Sequence, residues 1–189
     1  MKISPDEIAF DIDGVFADTF RVFIKMARNE YGYSFDYDDI TEYDFLKVLN
    51  IDKQESDNII QTILDYPIES GIGSINGAVK VLTKLSRISS IFFVTARPGK
   101  KEILNWICHQ LPGVDENSIR LVATGAHEDK LPVLLENDIK YFVEDRLETC
   151  YLLKGVFITP IVFEQPWNRK PHNFRTVRTW DEISDIIKW

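Results

Sequence analysis

Residues 7–18 read EIAFDIDGVFAD, and the fold turns on this stretch. Its opening run, 7–10, is short and apolar, as a buried strand requires. The run passes straight into Asp11 and Asp13, two carboxylates at i and i+2, followed by Gly14. Carboxylates just past a buried strand are costly unless something neutralises them. A divalent cation does so, and Mg²⁺ favours one or two carboxylates together with phosphate oxygens. Taken alone, the four residues Asp-Ile-Asp-Gly fit a solvated turn with Gly14 at positive φ equally well.

Downstream, short apolar runs alternate with amphipathic segments. Residues 91–94 (IFFV), 120–123 (RLVA), 141–143 (YFV) and 156–158 (VFI) read as further strands. Residues 78–85, 101–111, 131–136 and 147–153 carry apolar residues at helical spacing, and 180–189 reads as a terminal helix that docks Ile183, Ile186 and Ile187. This alternation predicts an α/β fold, a doubly wound parallel sheet of Rossmann-like form. One region breaks it. About sixty residues after the first strand show little strand character, while 19–31, 38–49 and 53–64 look helical. A structureless loop of that length is improbable in a compact domain, so a small helical cap over 18–73 is expected, inserted into a core formed by 1–17 and 74–189. The return segment 66–76 (YPIESGIGSIN) is rich in Gly, Ser and Pro, and a hinge is expected near Gly71 and Gly73. An insertion after the first strand hangs over the carboxyl end of the sheet, where such sheets bind ligands.

Three further sites fall at strand ends or helix starts. The second strand ends in Thr95-Ala96-Arg97-Pro98, a hydroxyl followed by backbone amides at a helix start, which suits a phosphate. It also suits a plain Thr cap with Pro in the first turn. The third strand leads to Lys130 at the head of a helix, and the fourth ends in Glu144-Asp145-Arg146. A second acidic pair is the expected other half of a metal site, although acids also favour helix N-termini for electrostatic reasons.

In this order, and on one sheet edge, the four sites resemble the haloacid dehalogenase superfamily of phosphohydrolases over roughly residues 7–158. Within it, the chain is most similar to the 5′(3′)-deoxyribonucleotidase-like group. Residues 11–18 (DIDGVFAD), 144–146 (EDR) and 166–168 (PWN) carry that closer resemblance, while Thr95-Ala96-Arg97-Pro98 and Glu144 depart from its pattern. The resemblance implies an Mg²⁺-dependent phosphomonoesterase working through an aspartyl-phosphate. Asp11 would be the nucleophile and Asp13 the general acid and base. Thr95 would bind phosphoryl oxygens, and Lys130 would offset phosphate charge and orient Asp11. Glu144 and Asp145 would form the metal site, with Asp145 the preferred direct ligand and Asp13 adding its backbone carbonyl. Candidate substrate contacts are Ala96, Arg97, Phe16, Tyr43, Phe45 and Asn168. The three aromatics could stack on a base, though aromatics at helical spacing more often belong to a core. Arg97 fits a substrate phosphate or a carboxylate partner, and Trp167 and Asn168 fit a pocket wall or a loop cap.

Charge and composition bound the function. The chain has 189 residues, a net charge of −8, 44% hydrophobic and 28% charged residues, so a folded globular protein is expected. An acidic surface disfavours duplex nucleic acid and anionic membrane, and no apolar run spans a bilayer. Cys108 and Cys150 read as apolar core residues of a reduced, cytoplasmic protein. His109, His127 and His172 lack metal-ligand spacing. The expected partner is a small phosphorylated metabolite, a nucleoside monophosphate first, with a sugar phosphate or a polynucleotide end as alternatives. A phospho-accepting receiver-like module or a non-catalytic relative are readings from other classes. Receivers lack both the cap and the second Asp.

Overall fold

The computed structural model describes residues 2–189. The elements in chain order are β1 (Ile8–Phe10), α1 (Thr19–Tyr31), α2 (Lys53–Asp65), α3 (Ala78–Leu85), β2 (Ile91–Thr95), α4 (Lys101–Gln110), β3 (Ile119–Ala123), α5 (Lys130–Glu136), β4 (Tyr141–Glu144), α6 (Leu147–Leu153), β5 (Thr159–Phe163), β6 (Arg175–Val177) and α7 (Trp180–Ile186). The six strands form one sheet in the order β3-β2-β1-β4-β5-β6, and every pairing is parallel. The α/β expectation therefore holds. The chain winds outward from β1 on one side and then crosses to β4 on the other, so β1/β4 is the topological switch point, where parallel sheets open a crevice at their carboxyl ends. Phe10 pairs with Val143 across that switch, which sets Asp11 beside the end of β4.

The central strand β1 is covered on both faces, and all three of its residues are buried. Phe10 packs on Phe93 and Trp180, and burying such a ring stabilises the fold by about 1.5–3 kcal/mol. After β1 the chain enters α1, which buries Val22, Phe23, Ile24 and Ala27 and is closed by Gly32 at φ 78°. Helix α2 starts at Asp52, whose carboxylate accepts the Gln54 and Glu55 N–H groups, and it buries Ile59 and Ile63. These apolar faces join the same core cluster as Phe10 and Phe93.

Four local readings change. Residues 38–49 form two single 3-10 turns, Tyr37–Asp39 and Phe45–Lys47, in place of a helix. Asp36 and Asp39 cap each other there, and such local side-chain bonds compete with continued helix. The fifth strand is Thr159–Phe163, not 156–158; the chain turns at Gly155 (φ 98°) and leaves Phe157 95% exposed. Pro160 is tolerated inside that strand, and β6 beyond it is an additional edge strand. The terminal helix stops at Ile186, after which Ile187 forms a bridge to Ile3. Among the described residues no helix is long and apolar enough to cross a membrane.

Candidate active site at the sheet switch point

The acidic groups after β1 and β4 converge. Asp11, Glu144 and Asp145 each place a carboxylate oxygen within 4.8 Å of the others, and all three are buried. One cation, the fully buried Lys130 at the start of α5, bridges Asp11 Oδ2 and Glu144 Oε2 at 2.9 Å each. With all three ionised, three carboxylates against one ammonium would leave two uncompensated negative charges in a desolvated space.

The titration of the groups expresses that imbalance. Burial, and then the Glu144 charge, push the Asp11 carboxyl well above its usual range, and Lys130 opposes them only in part. Asp145 is pushed up in the same way by burial, Glu144 and Asp11. Burial would raise Glu144 too, but the Lys130 charge and hydrogen bonds from the Asp145 side chain, Lys130 and the Arg146 N–H outweigh it and hold this acid below its usual value. Lys130 loses hydration on burial, yet Asp11 and Glu144 more than compensate and keep it protonated. Both oxygens of Glu144 are thus engaged, whereas Asp145 Oδ1 is buried without a partner.

Asp13 stands apart from this cluster. Arg97 clamps it with two bonds, Nε to Oδ2 at 2.9 Å and Nη2 to Oδ1 at 2.7 Å, and the Thr19 hydroxyl donates to Oδ1. Burial would raise Asp13, but the Arg97 charge and these bonds prevail and hold it below the ordinary carboxylate range. Arg97 is 4% exposed, and its Nη1 has no partner. Replacing Arg97 with Met should move the Asp13 titration, followed by carboxyl ¹³C NMR, to higher pH; an unmoved titration would show that the clamp does not set it.

A cavity of about 250 Å³ opens on these groups. Asp11, Asp13, Thr95, Ala96 and Arg97 line its polar floor. Phe20, Phe23, Tyr43 and Ile63, from the segment after β1, supply apolar walls. The Thr95 hydroxyl is buried and accepts the Arg97 N–H at 3.3 Å. Tyr43 approaches His127 across the mouth, with hydroxyl to Nε2 at 3.5 Å.

Several candidate contacts lie elsewhere. Phe16 is fully buried beneath the motif, stacked on Phe93 at 5.5 Å and against Trp106 at 4.9 Å, so it packs the core and does not meet a base. Phe45 packs on Phe23 and Phe20 behind the wall. Asn168 binds backbone, its Nδ2 donating to the carbonyls of Asp145 and Phe163 at 2.8 Å. Cys108 and Cys150 are free thiols, and burial raises both. Thr19, Phe20 and His127 are cavity residues that the sequence reading did not single out for contact. A hydroxyl at a helix start six residues after Asp13 was the available signal for Thr19.

Two residues near the floor make sharp expectations. Gly14 sits at φ 73°, and a Cβ there would fall on the Asp145 carboxylate and 3.1 Å from Trp167 Cζ2. Gly14→Ala should therefore cost at least about 1–2 kcal/mol in urea denaturation, from the backbone alone. His127 is lowered from 6.5 to about 4 by burial and by the charges of Lys130 and Arg146. The fold thus favours neutral imidazole, a contribution present above pH 6.5 and lost as pH falls toward 4. Across that window the melting temperature should fall more steeply for the wild type than for His127→Gln; parallel curves would contradict this.

Comparison with known proteins gives a consistent picture. A family model described as "5' nucleotidase, deoxy (Pyrimidine), cytosolic type C protein" matches residues 6–189. A nucleotidase of Clostridium acetobutylicum is 27% identical over 182 residues, covering 95% of this chain and 92% of its own. A 5'(3')-deoxyribonucleotidase of Bacillus subtilis is 24% identical over 180 residues, covering 93% and 95%. Among solved structures, a haloacid dehalogenase-like hydrolase of Streptococcus pneumoniae superposes with a TM-score of 0.61 at 13% identity, covering 97% of this chain and 98% of its own.

Proposed function

The chain belongs to the 5′ nucleotidase, deoxy (pyrimidine), cytosolic type C family, and from that premise we propose that it hydrolyses a nucleoside monophosphate with Mg²⁺ and an aspartyl-phosphate intermediate. It is a phosphoric monoester hydrolase of the haloacid dehalogenase superfamily. The observation that carries the proposal is the charge imbalance at the switch point: Asp11, Glu144 and Asp145 around Lys130 alone. A divalent cation matches the two unbalanced charges, and the unpartnered Oδ1 of Asp145 is a fitting ligand atom. Asp145 and Asp11 would hold the ion, with Glu144 as their charged support. Once bound there, it supplies charge neutralisation and polarises the phosphoryl oxygens.

The chain's own residues then divide the reaction. The carboxylate of Asp11 attacks phosphorus, and the bond from phosphorus to the ester oxygen breaks. Asp13 gives its proton to that departing oxygen. In the second half Asp13, now a carboxylate, takes a proton from water as the water oxygen attacks the phosphorus of the aspartyl-phosphate. Inorganic phosphate leaves and Asp11 is restored. Arg97 and Thr19 hold Asp13 as a carboxylate in the resting site, the state needed for the second half. An adjacent phosphate dianion raises its proton affinity, so Asp13 takes up a proton from solvent as substrate binds, gives it to the ester oxygen, and releases the proton taken from the attacking water to solvent once phosphate has left. Thr95, Ala96 and the free Nη1 of Arg97 receive the phosphoryl oxygens, and Lys130 steadies Asp11.

Segment 18–73 acts as the cap, and its apolar wall of Phe20, Tyr43 and Ile63 takes the leaving group. Closure over it excludes water during the first transfer. The two ends of the segment meet where Asp18 N–H donates to Gly73 O at 2.9 Å, and Gly71 just before that end lies at φ 76°. Gly71, at positive φ and with its N–H on the Ile68 carbonyl, does not admit Pro, but Gly73 is not at positive φ and has open space around it. With Gly73 alone replaced by Pro, turnover should slow more than stability falls, and unchanged kinetics would remove the hinge. The substrate class is tested by phosphate release from nucleoside monophosphates, sugar phosphates and an end-phosphorylated oligonucleotide. Mononucleotides are expected to lead. A sugar phosphate or oligonucleotide at the head of the ranking would overturn the nucleotide assignment.

A further inference from the structure

The loop after β5 reaches the acidic cluster from behind. It is folded by its own ends: Gln165 N–H donates to Asn168 Oδ1 at 2.9 Å, and Asn168 N–H returns to the Gln165 carbonyl at 3.1 Å. From this clasp three side chains fan out. Gln165 Nε2 donates to the Gly14 carbonyl at 2.7 Å. Asn168 Nδ2 holds the Asp145 carbonyl at 2.8 Å. Between them the indole N–H of Trp167 donates to Asp145 Oδ2 at 2.9 Å. Trp167 is 3% exposed, and its ring is fixed between Phe20, at 4.5 Å, and Tyr37, at 5.9 Å. Gly14 packs so tightly against Asp145 and Trp167 that no side chain fits there.

We propose that Trp167 is a positioning residue that fixes the Asp145 carboxylate through its indole N–H, holding Oδ2 so that Oδ1 alone is offered to the metal ion. Four features carry this. An indole has one donor and no acceptor, so it occupies one carboxyl oxygen and cannot itself compete for the metal. The buried carboxylate has one oxygen occupied and the other unpartnered, which is the asymmetry a single-oxygen ligand needs. Asn168 fixes the backbone of the same residue, so both ends of Asp145 are held by one loop. The ring is wedged by aromatics of the segment after β1, so the donor does not swing away. Partners behind a ligand orient it, and losing one typically costs about 10–100-fold in metal affinity or activity.

The inference rests on the metal reading given under Proposed function, and its test separates the two. Mn²⁺ affinity would be measured by calorimetry and by electron paramagnetic resonance, without substrate, for wild type, Trp167→Phe and Trp106→Phe. The last loses an indole bond to the Ile72 carbonyl and none to a carboxylate. Benzothienylalanine at position 167 is a second variant, since it keeps the ring shape and lacks only the N–H. Expected is a Kd for Mn²⁺ weaker by about tenfold or more in both position-167 variants, with Trp106→Phe like wild type. Turnover at position 167 should recover at high Mg²⁺, with the KM for the phosphoester unchanged. Equal Mn²⁺ affinity in the benzothienylalanine protein would overturn the positioning role while leaving the metal site intact. Wild type that binds no Mn²⁺ would overturn the metal reading itself and the inference with it.

Discussion

Asp11→Asn should abolish phosphate release, with a fall of about 10⁴–10⁶ in kcat, the scale seen when a covalent nucleophile is removed. The substitution is nearly isosteric, so the fold should survive it. It should in fact raise thermal stability in the absence of divalent cation. Asp11 is buried, and burial together with Glu144 pushes its carboxyl up, so the ionised form opposes folding at neutral pH. Removing that charge leaves Lys130 paired with Glu144 at 2.9 Å. A more stable and inactive variant is the signature of a group kept for chemistry against the interest of the fold. A variant that keeps even a hundredth of the activity would show that Asp11 is not the attacking group.

The second large effect concerns Lys130. This ammonium is fully buried and is the shared partner of Asp11 and Glu144. Lys130→Met keeps the length of the side chain and removes the charge. Breaking a buried pair by deleting one partner typically costs about 3–5 kcal/mol, since the remaining charges stay desolvated and uncompensated. The deficit should depend on pH with a definite sign. In the variant, Asp11 and Glu144 lose the charge that opposes their upward shifts, so both folded carboxyls bind protons more tightly than in the unfolded chain. The folded state then holds more protons, and stability rises as pH falls. The loss is therefore largest at neutral pH and shrinks on acidification toward the range where these acids protonate. Melting curves of the two proteins between pH 8 and pH 5 would show it, and a pH-independent difference would contradict it. Divalent cation should rescue part of the stability.

What was legible in the sequence is what short-range pattern and chemistry both mark. Asp11, Thr95 and Glu144 end or directly follow apolar runs, and Lys130 heads a helix, so the strand–motif order alone placed them on one sheet edge. The structure gathers them around one cavity floor and one acidic cluster. The parallel sheet was legible for the same reason. The rest depends on contacts that no local window contains. Thr159 and Pro160 look like a break, yet tertiary pairing of Thr159 with Tyr141 draws them into β5. Residues 38–49 have apolar spacing compatible with a helix, but they form two separate 3-10 turns, the first of them capped by the carboxylates of Asp36 and Asp39. Phe16 follows the motif by three positions and seemed free to meet a base; the turn at Gly14 points it into the core against Trp106. Trp167 and Asn168 read as a pocket wall or a loop cap, and their bonds go to Asp145, a group separated from them by more than twenty residues and reachable only once the sheet is formed.

The central claim is that the phosphoryl group passes through Asp11. The most direct measurement is acid quenching of the enzyme during turnover of a nucleoside monophosphate with Mg²⁺, followed by peptide mapping. The account expects phosphate on the peptide that contains Asp11, absent with chelator and absent in Asp11→Asn. Steady phosphate release with no phosphopeptide at any quench time, and a second substitution at Asp11 that still turns over, would contradict it.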